Sequence, residues 1–179
     1  MSILKIAKMG HPVLRIKAEP VSIKKIKSPE IQWLIDSMIE TMYDAGGVGL
    51  AAPQVYESLQ ILVMEIPDED ESKAAPLTVI INPEVEMLTD TKIRGWEGCL
   101  SIPDIWGEVA RYKDIRLRYY DRQGNRHELE CHDFKAVVVQ HEYDHLVATL
   151  FIDRVDDTTK LAFTKEYRTY FGKAGVIKS

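Results

Sequence analysis

The stretch SPEIQWLIDSMIETMYDA at 28–45 constrains the fold more than any other part of the chain. Ser28 can accept a backbone N–H left free by the first turn, Pro29 suits the first helical position, and Gly46 or Gly47 can end the helix. Ile31, Leu34, Ile35, Met38, Ile39 and Met42 recur at helical spacing and form one apolar stripe, so this helix must lie on a core. It also decides how the next stretch, GGVGLAAPQ at 46–54, is read. Gly47, Gly49 and Ala52 spell the dinucleotide-binding pattern, and Glu65 and Asp68 stand where a ribose partner would be sought. A phosphate loop, however, follows a strand and opens a helix, because the helix N-terminus holds the phosphates. Here the glycines follow a helix, and Pro53 blocks the helix that would have to come next.

The rest of the chain reads as strands followed by two more helices. QILVMEI (60–66) and LTVIINP (77–83) are short apolar runs rich in β-branched residues, with an acidic, exposed loop expected between them around 68–71. DIRLRYYDRQGNRHELECH (114–132) alternates around a DRQGN turn, the signature of an antiparallel hairpin. Asp133 is a candidate cap for a second helix, FKAVVVQHEYDHLVAT, and a last helix is expected over 157–171. The expected class is α+β: antiparallel β-sheets packed around a central helix, with the amphipathic helix before it and a C-terminal helix after it. With 179 residues, 45% of them hydrophobic, one domain over 1–179 is expected, with 155–179 its C-terminal helix and tail.

A net charge of −5 gives no general attraction to nucleic acid or to an anionic membrane. Lys5 and Lys8 interrupt the N-terminal apolar run, and no window is long and apolar enough to span a bilayer. The expected location is the cytoplasm, where a disulfide between the two cysteines, Cys99 and Cys131, is not expected.

The chemistry sits in QHEYDHL. His141 and His145, four apart on a helix, project from one face and can share a metal ion, while Glu142 can address a water bound to it. A catalytic metal site usually has three protein ligands and keeps one position open. No histidine follows His145, and Asp153 and Asp156 lie near the start of the next element, so the better third donor is Cys99 in WEGCLS.

Three motifs in order, GVGLAAPQ (47–54), EGCLS (97–101) and HEYDH (141–145), resemble those of the peptide deformylase family, and the likeness runs from MGHPVLR to LFIDRV. The resemblance implies a single catalytic domain that removes formate from the N-terminal formyl-methionine of newly made polypeptides. It makes Cys99, His141 and His145 the ligands of one divalent ion, Fe2+ in the cell, with Zn2+, Ni2+ or Co2+ able to replace it. A metal-bound water or hydroxide would attack the formyl carbon, with Glu142 as general acid/base. The backbone N–H of Leu100 and the side-chain amide of Gln54 would stabilise the oxyanion. Backbone groups of Val48, Gly49 and Gly98 would bind the peptide as an added strand. Phe134 and Val137 share the helical face of His141, and with Val138 they would form an apolar pocket for the methionine. Glu97 and Arg111 would pair to brace the Cys99 segment. Formyl-methionyl nascent chains are the implied partners, with the ribosome as a further candidate, and neither nucleic acid sequence nor membrane is expected to be recognised directly.

Two other functions are compatible with part of this pattern. A metallopeptidase would use the H-E-x-x-H residues alone and leave Cys99 and Gln54 without a role. A binding protein with a structural zinc would close the site with a fourth ligand, for which Cys131 or His132 is the candidate.

Overall fold

The computed structural model describes residues 2–67, 74–172 and 176–178, so the acidic stretch at 68–71 lies outside the described residues. Helix α1 spans Pro29–Asp44, and Ser28 Oγ accepts from Ile31 N–H at 3.5 Å, as its sequence position requires. The helix ends where Gly46 takes a left-handed φ of 65° and Gly47 N–H bonds back to Met42 O. The chain then enters strand β1 (Gly49–Ala51) and a 3-10 turn, Ala52–Val55, with Pro53 in its first positions, where its missing N–H costs nothing.

Strands β2 (Ile61–Ile66) and β3 (Ala75–Met87) follow, then β4 (Lys92–Cys99), β5 (Ile102–Tyr112), β6 (Asp114–Tyr120) and β7 (Arg126–His132). One sheet has the antiparallel order β1-β2-β3-β6-β7. Its alternating residues face two different helices. Leu62, Met64 and Ile80 join a cluster with Val137, Val138 and Val139, whereas Ile61, Val63, Val79 and Ile81 join one with Leu34, Ile35, Met38 and Met42 of α1. Burial on both faces explains why β2 opens on four apolar residues in a row, Ile61 to Met64.

Helix α2 spans Asp133–Leu146 and carries His141, Glu142 and His145. Asp133, expected as its cap, is instead the first helical residue, in a left-handed conformation (φ 47°), with its carboxylate 3.8 Å from Lys113 Nζ. Residues 136–142 and 144–146 are all buried, since α2 packs on β1, β2, β5 and β7.

The second sheet has the order β8-β5-β4-β9, with β8 at Leu161–Phe163 and β9 at Val176–Lys178. The β4–β9 pairing is parallel, a departure from the all-antiparallel expectation. The C-terminal helix is also shorter than the expected 157–171. Asp157 Oδ1 accepts from Thr159 N–H and starts a 3-10 turn, Leu161–Phe163 pair with Ile105–Gly107 of β5, and α3 covers only Thr164–Tyr170. The free edge of β5 competes successfully for residues whose local pattern also suits a helix.

Candidate metal centre

Three elements converge on one buried point. The hairpin of β4 and β5 ends β4 at Cys99, where its register shifts opposite Ile102. One face of α2 offers His141 and His145, with ring centroids 5.4 Å apart. The segment after α1 supplies Gly49 and Gln54. One donor atom from each of Cys99, His141 and His145 lies within 4.8 Å of the others, and Cys99 Sγ is 3.4 Å from His145 Nε2.

The donor set fits a divalent cation. His141 Nδ1 is 2.7 Å from Glu97 Oε2, which places the ring proton there and leaves Nε2 as a lone pair. That Nε2 is buried and has no hydrogen-bond partner among the described residues. A buried polar atom without a partner is costly, and one thiolate with two imidazoles is a set that Zn2+ or Fe2+ accepts. In the metal-free chain, burial would lower the His141 pKa, but Cys99 and Glu97 overrule it and raise it to about 10. Burial and the neighbouring His141 push His145 well below the ordinary range. Metal binding at Nε2 requires the neutral ring, so it competes with protonation there.

Around these donors lies a set of fixed hydrogen bonds. Arg111 Nε and Nη2 donate to the two Glu97 oxygens at 2.8 and 2.9 Å, so the expected Glu97–Arg111 pair is present and fully buried on the Glu97 side. Burial would raise the Glu97 pKa, but Arg111 and His141 hold it down at about 2. Arg111 Nη1 also donates to Asp144 Oδ2 at 2.5 Å, and Arg154 donates to both Asp144 oxygens. Asp144 and Arg154 carried no expectation from the sequence, although Asp144 stands inside HEYDH and could have been sought as the partner for a second buried charge. Ser101 was missed likewise: its N–H lies 3.4 Å from Cys99 Sγ, and its Oγ accepts from Gln54 Nε2 at 3.4 Å.

Gln54 is fully buried and held at both ends. Its Oε1 accepts from Ala51 N–H at 2.8 Å, which turns Nε2 toward Cys99 Sγ, 3.6 Å away. Glu142 is fully buried too, and a Cβ at Gly49 would collide with its carboxylate. The need for glycine at 49 is therefore close approach to a side chain. At Gly98 a Cβ would press on the Trp106 ring at 3.1 Å. Leu100, next to Cys99, is buried and its carbonyl accepts from Lys8 Nζ at 2.8 Å. Val48, Phe134, Val137 and Val138 pack into one apolar cluster, in which Val138 is fully buried while Phe134 and Val48 are half-buried. Cys131 is buried in that same cluster on β7, and exposed His132 pairs with Asp114 at 2.7 Å; neither belongs to the three-donor group.

A buried cysteine and two imidazoles beside a buried carboxylate, held on an α+β frame, are the donor set of a candidate metallohydrolase centre. The polypeptide deformylase family matches residues 3–161. The chain belongs to the peptide deformylase family. Peptide deformylase 1 of Bordetella pertussis is 45% identical over 163 residues, which span 89% of this chain and 92% of that one. A peptide deformylase of Campylobacter jejuni is 47% identical over 140 residues, 78% of this chain and 80% of its own. The Met-Ala-Ser-bound class I type b peptide deformylase of Acinetobacter baumannii superposes with a TM-score of 0.79 at 37% identity, covering 86% of this chain and 98% of that one. Among the described residues no helix is long and apolar enough to cross a membrane.

Proposed function

We propose that the protein removes the formyl group, as formate, from the N-terminal formyl-methionine of newly made polypeptides in the cytoplasm. The observation that carries this reading is the meeting of all three motifs at one point, with Gln54 Nε2 3.6 Å from Cys99 Sγ and Gly49 shaped to admit the Glu142 carboxylate against it. The Met-Ala-Ser complex of the Acinetobacter relative supports a peptide that begins with methionine.

Cys99, His141 and His145 would hold one divalent ion, Fe2+ in the cell, with Zn2+, Ni2+ or Co2+ as substitutes. When bound, the ion supplies Lewis acidity and lowers the pKa of a water. The remaining work falls to the chain itself. Glu142 takes the proton released as the formyl carbon is attacked and later delivers it to the departing amine nitrogen. The Gln54 side-chain amide and the Leu100 N–H donate to the formyl oxygen as it gains charge, and Gln54 needs no reorganisation because Ala51 already fixes it. Val48, Gly49 and Gly98 offer backbone groups to the peptide. Phe134, Val137 and Val138 form the apolar wall for the methionine side chain, Val138 by supporting the other two from the core. Glu97 orients His141, and Arg111 holds Glu97 ionised.

Anaerobically purified protein loaded with Fe2+ or Ni2+ should release formate from a formyl-Met peptide. Glu142→Ala should retain the metal yet lose turnover by roughly 10²–10⁴-fold, the usual size of an acid–base contribution. Metal-loaded protein that releases no formate would sink the reading, and loss of metal in Glu142→Ala would give that carboxylate a structural role instead.

A further inference from the structure

A cavity of about 240 Å³ opens directly against Gly98 and Cys99, and three charged side chains, Lys8, Asp104 and Arg168, stand in its lining with Trp106 as one wall. Two of the three are cations in a chain whose net charge is −5. Neither cation is placed casually. Lys8 Nζ is tied to the Leu100 carbonyl at 2.8 Å, one residue from Cys99. Arg168 rides on α3, which is fixed to the Trp106 wall at two points: the Tyr167 ring stacks on it at 4.5 Å, and Thr164 Oγ1 accepts from its Nε1 at 3.0 Å. Thr164 and Arg168 are four apart and so share one helical face, which explains why both line the cavity. Among the described residues none of Lys8, Asp104 and Arg168 is in an ion pair, so their charges are available to a ligand.

A peptide bound along Gly98 with its formyl end at Cys99, as proposed above, has this cavity beside it. We propose that the cavity takes a side chain from the second or third residue of the substrate and selects an acidic one. This rests on the deformylase reading. A carboxylate entering here meets Lys8 and Arg168 against the single like charge of Asp104, and an ammonium meets the reverse. Of the two cations, Lys8 lies inside the matched region 3–161, whereas Arg168 stands on α3, beyond it.

The test is internal competition between formyl-Met-Ala-Glu and formyl-Met-Ala-Lys, with formyl-Met-Glu-Ala and formyl-Met-Lys-Ala as the second pair, on metal-loaded full-length protein at low salt. At least one acidic peptide should be favoured about two- to five-fold in kcat/KM, the range of an exposed charge pair, and 1 M salt should erase the difference. Arg168→Glu should invert that ratio, and Arg168→Gln should bring it close to one. Equal rates on acidic and basic peptides, or a ratio that Arg168→Glu leaves unchanged, would overturn the inference and leave the deformylase reading intact. If no peptide releases formate, that reading fails; binding of Met-Ala-Glu and Met-Ala-Lys, read from tryptophan fluorescence, then decides the charge preference of the cavity by itself.

Discussion

Two groups of ion pairs in this protein have nearly the same geometry and opposite surroundings. On the outer face of β3, β6 and β7, Arg116 meets Glu130 at 2.9 Å and Arg118 meets Glu128 at 2.7 Å and Glu86 at 3.0 Å. Behind the metal centre, Arg111 meets Glu97 at 2.8 Å and Asp144 at 2.5 Å. The side chains of the first group are 28–55% exposed, whereas Glu97 and Arg111 are 0% and 5% exposed. Water screens the first group and carries much of its solvation already, so forming or losing a pair changes little. In the second group every charge has lost its water and depends on its partner, so removing one leaves another stranded. Distance alone does not separate the two groups; burial does, and the buried one is the one that fixes the orientation of His141.

The sharpest way to break this contrast is Arg111→Met, which strands the Glu97 carboxylate and removes one of the two arginines on Asp144. Breaking a buried pair costs about 3–5 kcal/mol. For a chain of this size that corresponds to a fall in Tm of roughly 6–20 °C. Metal retention should weaken by about 10–100-fold as well, because Glu97, the carboxylate that orients His141, loses the arginine that fixes it. Thermal denaturation of the metal-free chain and metal titration measure the two effects separately; a Tm loss under 2 °C would erase the distinction between the groups.

An intermediate case lies at the β6–β7 turn. Asp121 Oδ1 accepts from Gln123 N–H and Asn125 N–H, and its other oxygen meets His127 at 2.7 Å. Burial would raise this carboxyl, but His127 and the turn's hydrogen bonds lower it from 3.8 to about 2. Since the folded pKa lies below the ordinary one, the charged form stabilises the fold above about pH 4, and this contribution is lost as pH falls toward 2. Asp121→Ala should therefore cost about 1–2 kcal/mol at pH 7 and much less at pH 2.5, measured by urea denaturation at both values. An equal cost at the two pH values would mean that the turn is held by its backbone alone.

Both regions bear on what could be read from the sequence. The hairpin and its DRQGN turn, the caps and stripe of α1, and the face shared by His141 and His145 are local patterns, and each appears where its spacing puts it. Cys99 could be chosen as the third donor because the histidines left a chemical gap. Asp144 and Arg154 could not be assigned, since their pairing with Arg111 joins β5, α2 and the segment beyond α2 only in three dimensions. The same holds for Leu161–Phe163, where the open edge of β5 outweighs a helical pattern, and for Arg168, whose place in the wall of the cavity follows from the stacking of Tyr167 on Trp106.

The smallest expected effect completes the contrast. Arg118→Ala removes two exposed contacts, to Glu128 and Glu86, that match the buried pairs in length. Exposed pairs contribute about 0.2–1 kcal/mol each, and Arg118 also leaves two carboxylates that water can solvate once it is gone. The variant should lose less than about 1 kcal/mol at low ionic strength. At 1 M salt, where the screening length is about 3 Å, the loss should shrink to what the alkyl stem of Arg118 contributes by covering the sheet. Urea denaturation at low and high salt measures both. A cost for Arg118→Ala equal to that of Arg111→Met, and independent of salt, would show that the outer ladder is as desolvated as the pair behind the metal centre.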